Sequence, residues 1–309
     1  MSNEWIKDAL NIRYVKLHFE IKFLEDTIMP KNKTSALRGG MGEMLLQANC
    51  IMDRDCEHCD FDNECIVRRI MYSQFKIKPK FVTTGESIGY VLECEDFREK
   101  FACGDILKFN IIIFGKTIVY LNQIMQALFM LGQSGLGKNH SRFLIIRVTN
   151  TKRETLMEDG QIYKSRYEVG TVFEYVENRM KNDEISNMML WNAPATIKYD
   201  GKLIERFSSE AIFAAIERRI YMLDCFEGID IKRKEPLKNI PQIKNQNSNT
   251  ISVRRYSSTH NGGIYLTGLK GIVEFDNIDE YIYMLLLAGE LIHIGKNTSF
   301  GFGRYTMIK

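Results

Sequence analysis

Hydrophobic and polar residues alternate strictly along one early stretch of the chain. Residues 13–23 read RYVKLHFEIKF, with apolar side chains at every second position and Lys16, His18 and Glu20 between them. This alternation predicts a half-buried β-strand. A turn follows, and TSALRGGMGEMLLQAN then predicts a helix capped by Thr34 or Ser35. The glycines in that helix are costly and indicate close backbone packing or a nearby ligand.

The rest of the first half continues as strand, strand, helix and strand. The patterns predict strands over residues 80–92 and 105–114, a helix over 118–131, and a strand over 142–148. The glycine-rich segment GQSGLGKNH joins that helix to the last strand.

The second half repeats this order. It predicts a strand over 195–199, a helix over 208–226, strands over 251–256 and 264–275, a helix over 278–292, and a closing strand over 304–308. A second glycine-rich segment, GKNTSFGFG, occupies the same place before the closing strand.

Two copies of one βαββαβ order predict an α+β protein with tandem ferredoxin-like domains. We place the N-terminal ferredoxin-like domain at residues 1–150, with a metal-binding insertion at about 50–70. Residues 151–188 read as a hairpin connector that turns at Asp159-Gly160, and residues 189–309 form the C-terminal ferredoxin-like domain. Residues 232–249 are polar and predict an exposed mobile loop.

Composition adds little to this picture. Among 309 residues, 45% are hydrophobic and 26% are charged, which is typical of a soluble globular protein. The net charge of +3 permits nucleic-acid binding without requiring it. The sequence contains no apolar run of membrane-spanning length and no signal peptide, so we expect a cytoplasmic protein without a membrane partner.

Four of the seven cysteines lie within sixteen residues, with the spacing C-x5-C-x2-C-x5-C. Thiolates this close can bind one tetrahedral Zn²⁺. We therefore predict a structural zinc site formed by Cys50, Cys56, Cys59 and Cys65. An iron–sulfur cluster also uses four cysteines and is the less favoured alternative, as is substitution of His58 for one thiolate.

The two glycine-rich segments are candidate phosphate-binding loops, because glycine admits backbone conformations whose N–H groups can bind an anion. Basic residues accompany the glycines in both. The predicted contacts are Gly135, Gly137, Lys138 and Arg142 in the first loop and Gly295, Lys296, Gly301, Gly303 and Arg304 in the second. The alternative is a tight helix-to-strand connection whose phenylalanines belong to the core.

Several stretches together resemble a known family. The C-terminal RRYSSTHNGGIYLTGLKGIVEF and LLLAGELIHIGKNTSFGFGRY, and the earlier LRGGMGEMLLQANC with its cysteines, GLGKNHSRFLIIRV and NAPATIKYDGKL, are similar to the CRISPR-associated RAMP endoribonucleases that process precursor CRISPR RNA. The resemblance extends to the cysteine-containing branch of that family and is strongest over residues 252–309.

This resemblance implies metal-independent cleavage of CRISPR repeat RNA, in which the ribose 2′-hydroxyl attacks the adjacent phosphate. It implies 2′,3′-cyclic phosphate and 5′-hydroxyl ends, release of mature crRNA, and association with a CRISPR effector complex. Such chemistry needs a proton acceptor and cations. We select His293 with Lys296, assisted by Tyr256 or Arg304.

Other residues enter as weaker candidates. The remaining histidines are His18, which alternates outward on the first strand, His58, His140 and His260. Arg254, Arg255 and Arg38 are predicted RNA contacts. Two other functions stay open: a catalytically inactive RAMP subunit that only holds crRNA, and a metal-cluster DNA-binding or redox protein on an unrelated scaffold.

Overall fold

The computed structural model describes residues 2–56, 58–75, 77–82, 87–137, 139–158, 160–163, 166–231, 237, 239–257 and 262–309. The chain divides into two compact units. The N-terminal unit comprises Tyr14–Gln74 and Thr83–Val169, and the C-terminal unit comprises Met1–Arg13, Phe75–Val82 and Gly170–Lys309.

The described residues form these α-helices: α1 (Ser2–Ala9), α2 (Lys33–Asn49), α3 (Ile66–Met71), α4 (Leu121–Ser134), α5 (Val172–Asn182), α6 (Ser209–Glu227) and α7 (Glu280–Ile292). Short 3₁₀ helices span Gly115–Tyr120 and Thr298–Phe300. The strands of the first part of the chain are β1 (Arg13–Phe23), β2 (Thr27–Ile28), β3 (Tyr90–Glu93), β4 (Lys100–Phe101), β5 (Ile106–Phe114), β6 (Phe143–Thr149), β7 (Thr155–Glu158), β8 (Gln161–Ile162) and β9 (Gly170–Thr171). The later strands are β10 (Met188–Trp191), β11 (Lys198–Tyr199), β12 (Lys202–Leu203), β13 (Ile243–Ser257), β14 (Gly262–Phe275) and β15 (Tyr305–Ile308).

The N-terminal unit has the ferredoxin-like topology. Its strands lie in the order β3-β5-β1-β6-β7-β8, with antiparallel neighbours. Along the chain, β1, α2, β3, β5, α4 and β6 make one βαββαβ unit. Alternate residues of β1 enter its core, where the Phe19 ring stacks on Phe109 with centroids 4.9 Å apart.

The C-terminal unit repeats this topology. Its four-stranded sheet has the order β13-β14-β10-β15, and the chain visits β10, α6, β13, β14, α7 and β15 in turn. Trp191 of β10 is fully buried and stacks on Phe207 at 4.7 Å between ring centroids. The predicted tandem ferredoxin-like α+β fold is therefore confirmed.

The glycines of α2 serve close helix packing. A Cβ at Gly40 would lie 2.5 Å from Leu131 Cδ1 of α4, and one at Gly42 would lie 2.6 Å from Met71 Cε of α3. Glycine at these positions lets neighbouring helices approach the α2 backbone. The helix is capped by Asn32, whose side chain accepts a hydrogen bond from the Ser35 N–H, and the predicted caps Thr34 and Ser35 lie inside it.

The first strand of the second repeat was predicted in the wrong place. It is β10, whereas Ala195 and Thr196 form only isolated bridges, to Leu269 and Lys296, and the short β11 covers residues 198–199. The β10 sequence MMLW alternates in burial, yet its outward residues are also apolar. The hydrophobic pattern therefore hides the strand.

Two other strand boundaries differ from those predicted. The strand predicted over residues 80–92 is observed as β3, residues 90–93. Residues 83–86 are not among those that the structure describes. Strand β13 begins at residue 243, so residues 243–249 of the predicted loop are paired with β14. Exposed hairpin positions can carry polar residues, so KNQNSN gives no hydrophobic signal. Residues 232–236 and 238 of that predicted loop are not among the residues that the structure describes.

Residues 151–188 contain more than a hairpin. Strands β7 and β8 pair around a turn that includes Gly160, and they extend the sheet of the N-terminal unit; Asp159 is outside the described residues. Helix α5 belongs to the C-terminal unit and begins with a capping box, in which Thr171 and Glu174 bond each other's backbone N–H groups.

A polar cluster joins three elements of the C-terminal unit. The Tyr175 hydroxyl of α5 donates to Glu290 Oε1 of α7 at 2.7 Å, and Arg179 pairs with the same carboxylate. The other oxygen of Glu290 accepts the Met307 N–H of β15 at 2.8 Å. Because each partner satisfies a buried polar group, the cluster fixes α5, α7 and β15 together.

Within the described residues, no helix is long and apolar enough to cross a membrane.

Asp224 of α6 gives the C-terminal unit a pH-dependent stability. Its side chain is 2% exposed, and desolvation, with a contribution from the charge of Glu227, raises its pKa to about 8. A carboxyl with a raised folded-state pKa stabilises the protein at low pH, and this stability is lost as pH rises from about 4 to about 8. We expect Asp224→Asn to unfold at higher denaturant concentration than the wild type at pH 8, with the difference disappearing near pH 4.

The difference in unfolding free energy should grow by at most about 1.4 kcal/mol per pH unit. Glu210→Gln, at the exposed start of the same helix, is the matched control and should show no such trend. A difference between Asp224→Asn and wild type that is constant from pH 5 to pH 8 would contradict this account.

Candidate nucleic-acid interface

The second glycine-rich loop connects α7 to β15 and bonds mainly to its own unit. The Ile294 N–H donates to the Gly303 carbonyl, the Gly303 N–H to the Pro194 carbonyl, and the Lys296 N–H to the Thr196 carbonyl. These N–H groups are therefore already used inside the protein. They do not form the free anion-binding nest that the sequence suggested.

The glycines of this loop are required by close backbone contacts. A Cβ at Gly303 would lie 1.8 Å from the Ile294 carbonyl oxygen, and one at Gly295 would lie 2.7 Å from that of Thr196. Both glycines, like Gly301, have positive φ. Phe302 is fully buried. The loop thus matches the alternative of a tight helix-to-strand connection with a core phenylalanine.

The charged side chains of the loop differ in exposure. Lys296 is exposed and Arg304 is half-buried. The Arg255 guanidinium of β13 lies 4.6 Å from the centroid of the Phe300 ring, a cation–π arrangement that joins the long hairpin to the loop. Lys296 is therefore the predicted loop cation that is most available to a ligand.

The β13–β14 hairpin presents a polar face with an aromatic residue. Arg254 pairs directly with Tyr265 in the antiparallel register, so their side chains lie on the same face. Arg254 is exposed and lies over Gly263, where a Cβ would come within 2.7 Å of its Nε. Tyr265 is 66% exposed. Sequence reasoning missed Tyr265, although its register opposite Arg254 could have indicated it.

The predicted catalytic residues do not share one accessible site. His293 ends α7 with φ +55° and is fully buried. Its burial weighs against a role at bound RNA, whereas Lys296 three residues later is exposed. The backbone of Tyr256 pairs with Gly263 in the hairpin, but its side chain lies outside the described residues, as does the whole of His260.

The first glycine-rich loop is also a tight turn. Leu136 and Ser141 exchange backbone hydrogen bonds of 2.9 and 3.0 Å. A Cβ at Gly135 would lie 1.8 Å from the His140 carbonyl oxygen, and Gly137 packs beside Met29. His140 and Arg142 are exposed, with Arg142 3.7 Å from Glu25, while Lys138 lies outside the described residues.

Arg38 of α2 points into its own unit. Its guanidinium donates to Ser87 Oγ at 2.9 Å. Burial raises the pKa of the nearby Tyr90 hydroxyl, and the charge of Arg38 opposes that increase. Arg38 therefore supports the packing of α2, and its predicted phosphate contact gains no support from this position.

The four clustered cysteines lie between α2 and α3. Cys50 is the residue after α2 and Cys65 is the residue before α3. The Arg54 N–H donates to Cys50 Sγ at 3.2 Å. Desolvation raises the pKa of the Cys56 thiol; Arg68 opposes the increase, and the other three cysteines add to it. The thiols thus lie close enough to interact electrostatically.

This proximity does not amount to a metal-binding geometry. Across the described residues, which include all four cysteines, no three His, Cys, Asp or Glu side chains are arranged to hold a metal ion.

Two family models match the chain. AF_1859_N, described as an N-terminal domain, matches residues 11–172, and CRISPR-associated endoribonuclease Cas6 matches residues 190–305. The first match covers just over half of the chain, so the chain belongs to the family that carries the AF_1859_N N-terminal domain. Its C-terminal part is similar to the Cas6 endoribonucleases.

Solved structures share this fold. A partial Cas6-RT-Cas1–Cas2 complex is 10% identical with a TM-score of 0.55, covering 96% of this chain and 46% of that one. A Cas6 product complex is 13% identical with a TM-score of 0.52, covering 96% and 100%. A second Cas6 product complex is 11% identical with a TM-score of 0.50, covering 96% and 99%.

The chain thus spans less than half the length of the first of these structures. No curated protein matches the chain.

Substitution of Gly303 tests whether the loop glycines serve packing. Gly303→Ala should destabilise the protein by about 2 kcal/mol or more, because the new Cβ meets backbone and the residue keeps a positive φ. Gly201→Ala is the matched control, since Gly201 has a similar φ of +80° and open space around it. Chemical denaturation measures both. A stable Gly303→Ala protein that has lost only RNA binding would indicate that the glycine serves the ligand.

Proposed function

We propose that the protein is an endoribonuclease that cleaves CRISPR repeat RNA and releases mature crRNA. The match of the C-terminal unit to the Cas6 endoribonuclease model carries this proposal. The tandem ferredoxin-like fold supports it. A cytoplasmic location and association with a CRISPR effector complex remain predictions.

The RNA-binding surface of the proposal is the exposed face of the β13–β14 hairpin together with Lys296. Arg254 supplies a guanidinium for phosphate or base contacts, and Tyr265 supplies a ring on which a base can stack. Such stacking tolerates different bases, and the cations hold the strand by its phosphates. The hairpin therefore contributes affinity, and the sequence preference comes from contacts to base edges.

The proposed reaction uses the RNA's own nucleophile. The 2′-oxygen attacks the adjacent phosphorus and the bond to the 5′-oxygen breaks, which leaves a 2′,3′-cyclic phosphate and a 5′-hydroxyl. A cation near the phosphate stabilises the charge that develops on its oxygens. Lys296, Arg304 and the hairpin arginines are candidates for binding the phosphates of the RNA strand, and the chemistry requires no metal ion.

Tyr265→Ala tests the binding surface. We expect it to weaken repeat-RNA binding about tenfold, because a stacked base contributes about 1–3 kcal/mol. Arg254→Gln should also weaken binding and reduce its salt dependence. Lys244→Gln is the matched control, since Lys244 is an exposed cation at the other end of the same strand, paired with Glu274. Equal effects of Lys244→Gln and Tyr265→Ala on the binding curve would argue against a specific hairpin surface.

Cleavage in EDTA tests the reaction. Purified protein should cut its repeat RNA at one site without divalent metal, and end-group analysis should find a 2′,3′-cyclic phosphate. A repeat with a 2′-deoxy sugar at the mapped site should bind and remain intact, because the nucleophile is missing. Cutting of that deoxy substrate, or dependence on Mg²⁺, would contradict the mechanism.

Tight binding without any cutting would instead identify the alternative function, a RAMP subunit that holds crRNA without processing it. This outcome leaves the family membership and the binding surface in place and removes the nuclease proposal.

We further propose that the segment between α2 and α3 binds a structural Zn²⁺ through Cys50, Cys56, Cys59 and Cys65. The donor set fits the ion, because four thiolates satisfy its preferred tetrahedral coordination. The N–H···S bond from Arg54 to Cys50 is consistent with a ligand thiolate. The metal would join the end of α2 to the start of α3 and would take no part in catalysis.

Metal analysis tests this site. The purified protein should contain about one zinc per chain, and Cys59→Ser should lose it and unfold at lower temperature. Cys103→Ser is the matched control, since Cys103 is an exposed cysteine outside the cluster. Iron with an iron–sulfur absorption spectrum would indicate the alternative cluster, and zinc retained by Cys59→Ser would overturn the assignment.

A further inference from the structure

A row of polar side chains crosses three strands of the N-terminal unit. His18 of β1 pairs directly with Asn110 of β5, and Asn110 pairs directly with Glu93 of β3. Directly paired residues share one face of an antiparallel sheet. The hydrogen bonds follow this row: His18 Nδ1 lies 2.8 Å from Asn110 Oδ1, and Asn110 Nδ2 donates to Glu93 Oε2 at 2.8 Å.

The row determines the tautomer of His18. An ionised carboxylate only accepts hydrogen bonds, so the Asn110 nitrogen must face Glu93 and the Asn110 oxygen must face His18. That oxygen also only accepts, so His18 must carry its proton on Nδ1. In the neutral ring, Nε2 therefore holds the lone pair, as in histidines oriented to accept a proton.

Glu93, the carboxylate at the end of this row, is held in place by its neighbours. Glu93 is 4% exposed, and Lys16, two residues before His18 on the same face, approaches its Oε2 to 2.9 Å. A buried carboxylate with a lysine partner and an amide donor keeps its position. The hydrogen bonds from Asn110 to Glu93 and between His18 and Asn110 therefore fix the positions of the Asn110 and His18 side chains. The described residues offer Nε2 of His18 no hydrogen-bond partner.

The surroundings of His18 favour the neutral ring. Burial lowers the pKa of His18, the hydrogen bond to Asn110 opposes this, the charges of Arg153 and Lys16 lower it further, and that of Glu93 raises it. Thr149 at the end of β6 pairs directly with His18, and Arg153 lies exposed in the turn that follows it. A neutral proton acceptor thus has an exposed cation nearby, which is the pair of groups that ribose-phosphate chemistry needs.

We propose that His18 is the proton acceptor for the ribose 2′-hydroxyl, with Arg153 binding the reacting phosphate and Asn110 as a positioning residue; the proposal rests on the nuclease function. Nε2 takes the 2′-hydroxyl proton as the 2′-oxygen forms its bond to phosphorus. The bond from phosphorus to the 5′-oxygen breaks, and the 5′-oxygen takes a proton from water. His18 then returns its proton to the resulting hydroxide, so no other reactant is consumed.

Single-turnover cleavage of the repeat RNA by the full chain tests this role. His18→Gln should cut at least about 100-fold more slowly at pH 7.5, as expected for loss of a general base, and should bind the RNA within about threefold of wild type. The wild-type rate should rise with pH to a plateau, with its acid limb below pH 6.5, because the folded-state pKa of His18 is lowered.

Asn110→Leu supplies the readout that a purely structural role would not give. Removing the hydrogen bond that raises the pKa of His18 should move the acid limb to lower pH and reduce the plateau rate. Lys108→Gln is the matched control on the same face. Lys108 is exposed and pairs with Glu20 at 2.9 Å, and its replacement should leave the rate within about twofold and the acid limb unmoved.

The outcomes separate the two proposals. If the wild type cuts and His18→Gln cuts at the same rate, the role of His18 is overturned and the nuclease function stands. If the wild type never cuts, both fall. If His18→Gln does not fold, ¹⁵N NMR spectra of the His18 imidazole in the wild type decide between the outcomes. An Nδ1–H tautomer whose Nε2 signal shifts when 2′-deoxy repeat RNA binds supports the proposal. An Nε2–H tautomer, or an Nε2 signal that does not shift, overturns it.

Discussion

Cross-strand register is the constraint on which the rest of this structure depends. Strand β1 is paired on both sides, with β5 and β6, and its apolar residues face the core of the N-terminal unit. Because side chains alternate, burying Leu17 and Phe19 forces His18 onto the opposite face. A slip of one residue would expose the core residues and bury the polar ones. The hydrophobic effect therefore fixes the register, and the register brings His18 to Asn110 and Asn110 to Glu93.

The same principle operates in the C-terminal unit. Pairing of β13 with β14 sets Arg254 against Tyr265 on one face, while the guanidinium of Arg255 packs over Phe300. The glycine-rich loops have a different part in this arrangement. Their close backbone contacts and the buried Phe302 connect helix to strand. On the proposed RNA-binding surface, the strand faces supply most of the contacts, and the glycine loop supplies chiefly Lys296.

The sequence predicted the duplicated βαββαβ order because each long element has its own periodicity, and β1 is the clearest case. It failed at β10, where outward positions are apolar, and at the start of β13, where paired residues are polar. It chose His293, whose position before a glycine loop suggested exposure, but burial in the tertiary structure decides that question. The row at His18 was beyond sequence reasoning, since His18 and Asn110 are 92 residues apart and meet only through register.

Photocrosslinking tests most directly whether RNA lies against the strand faces, as proposed. The RNA carries a 2′-deoxy sugar at the cleavage site, so that it stays intact, and 4-thiouridine at successive positions. It is irradiated with the full chain, and mass spectrometry identifies the crosslinked peptides. We expect crosslinks in β13 and β14 near Tyr265, and in β1 and β5 near His18. Crosslinks confined to the helices and the glycine-rich loops, with none on these strands, would contradict it.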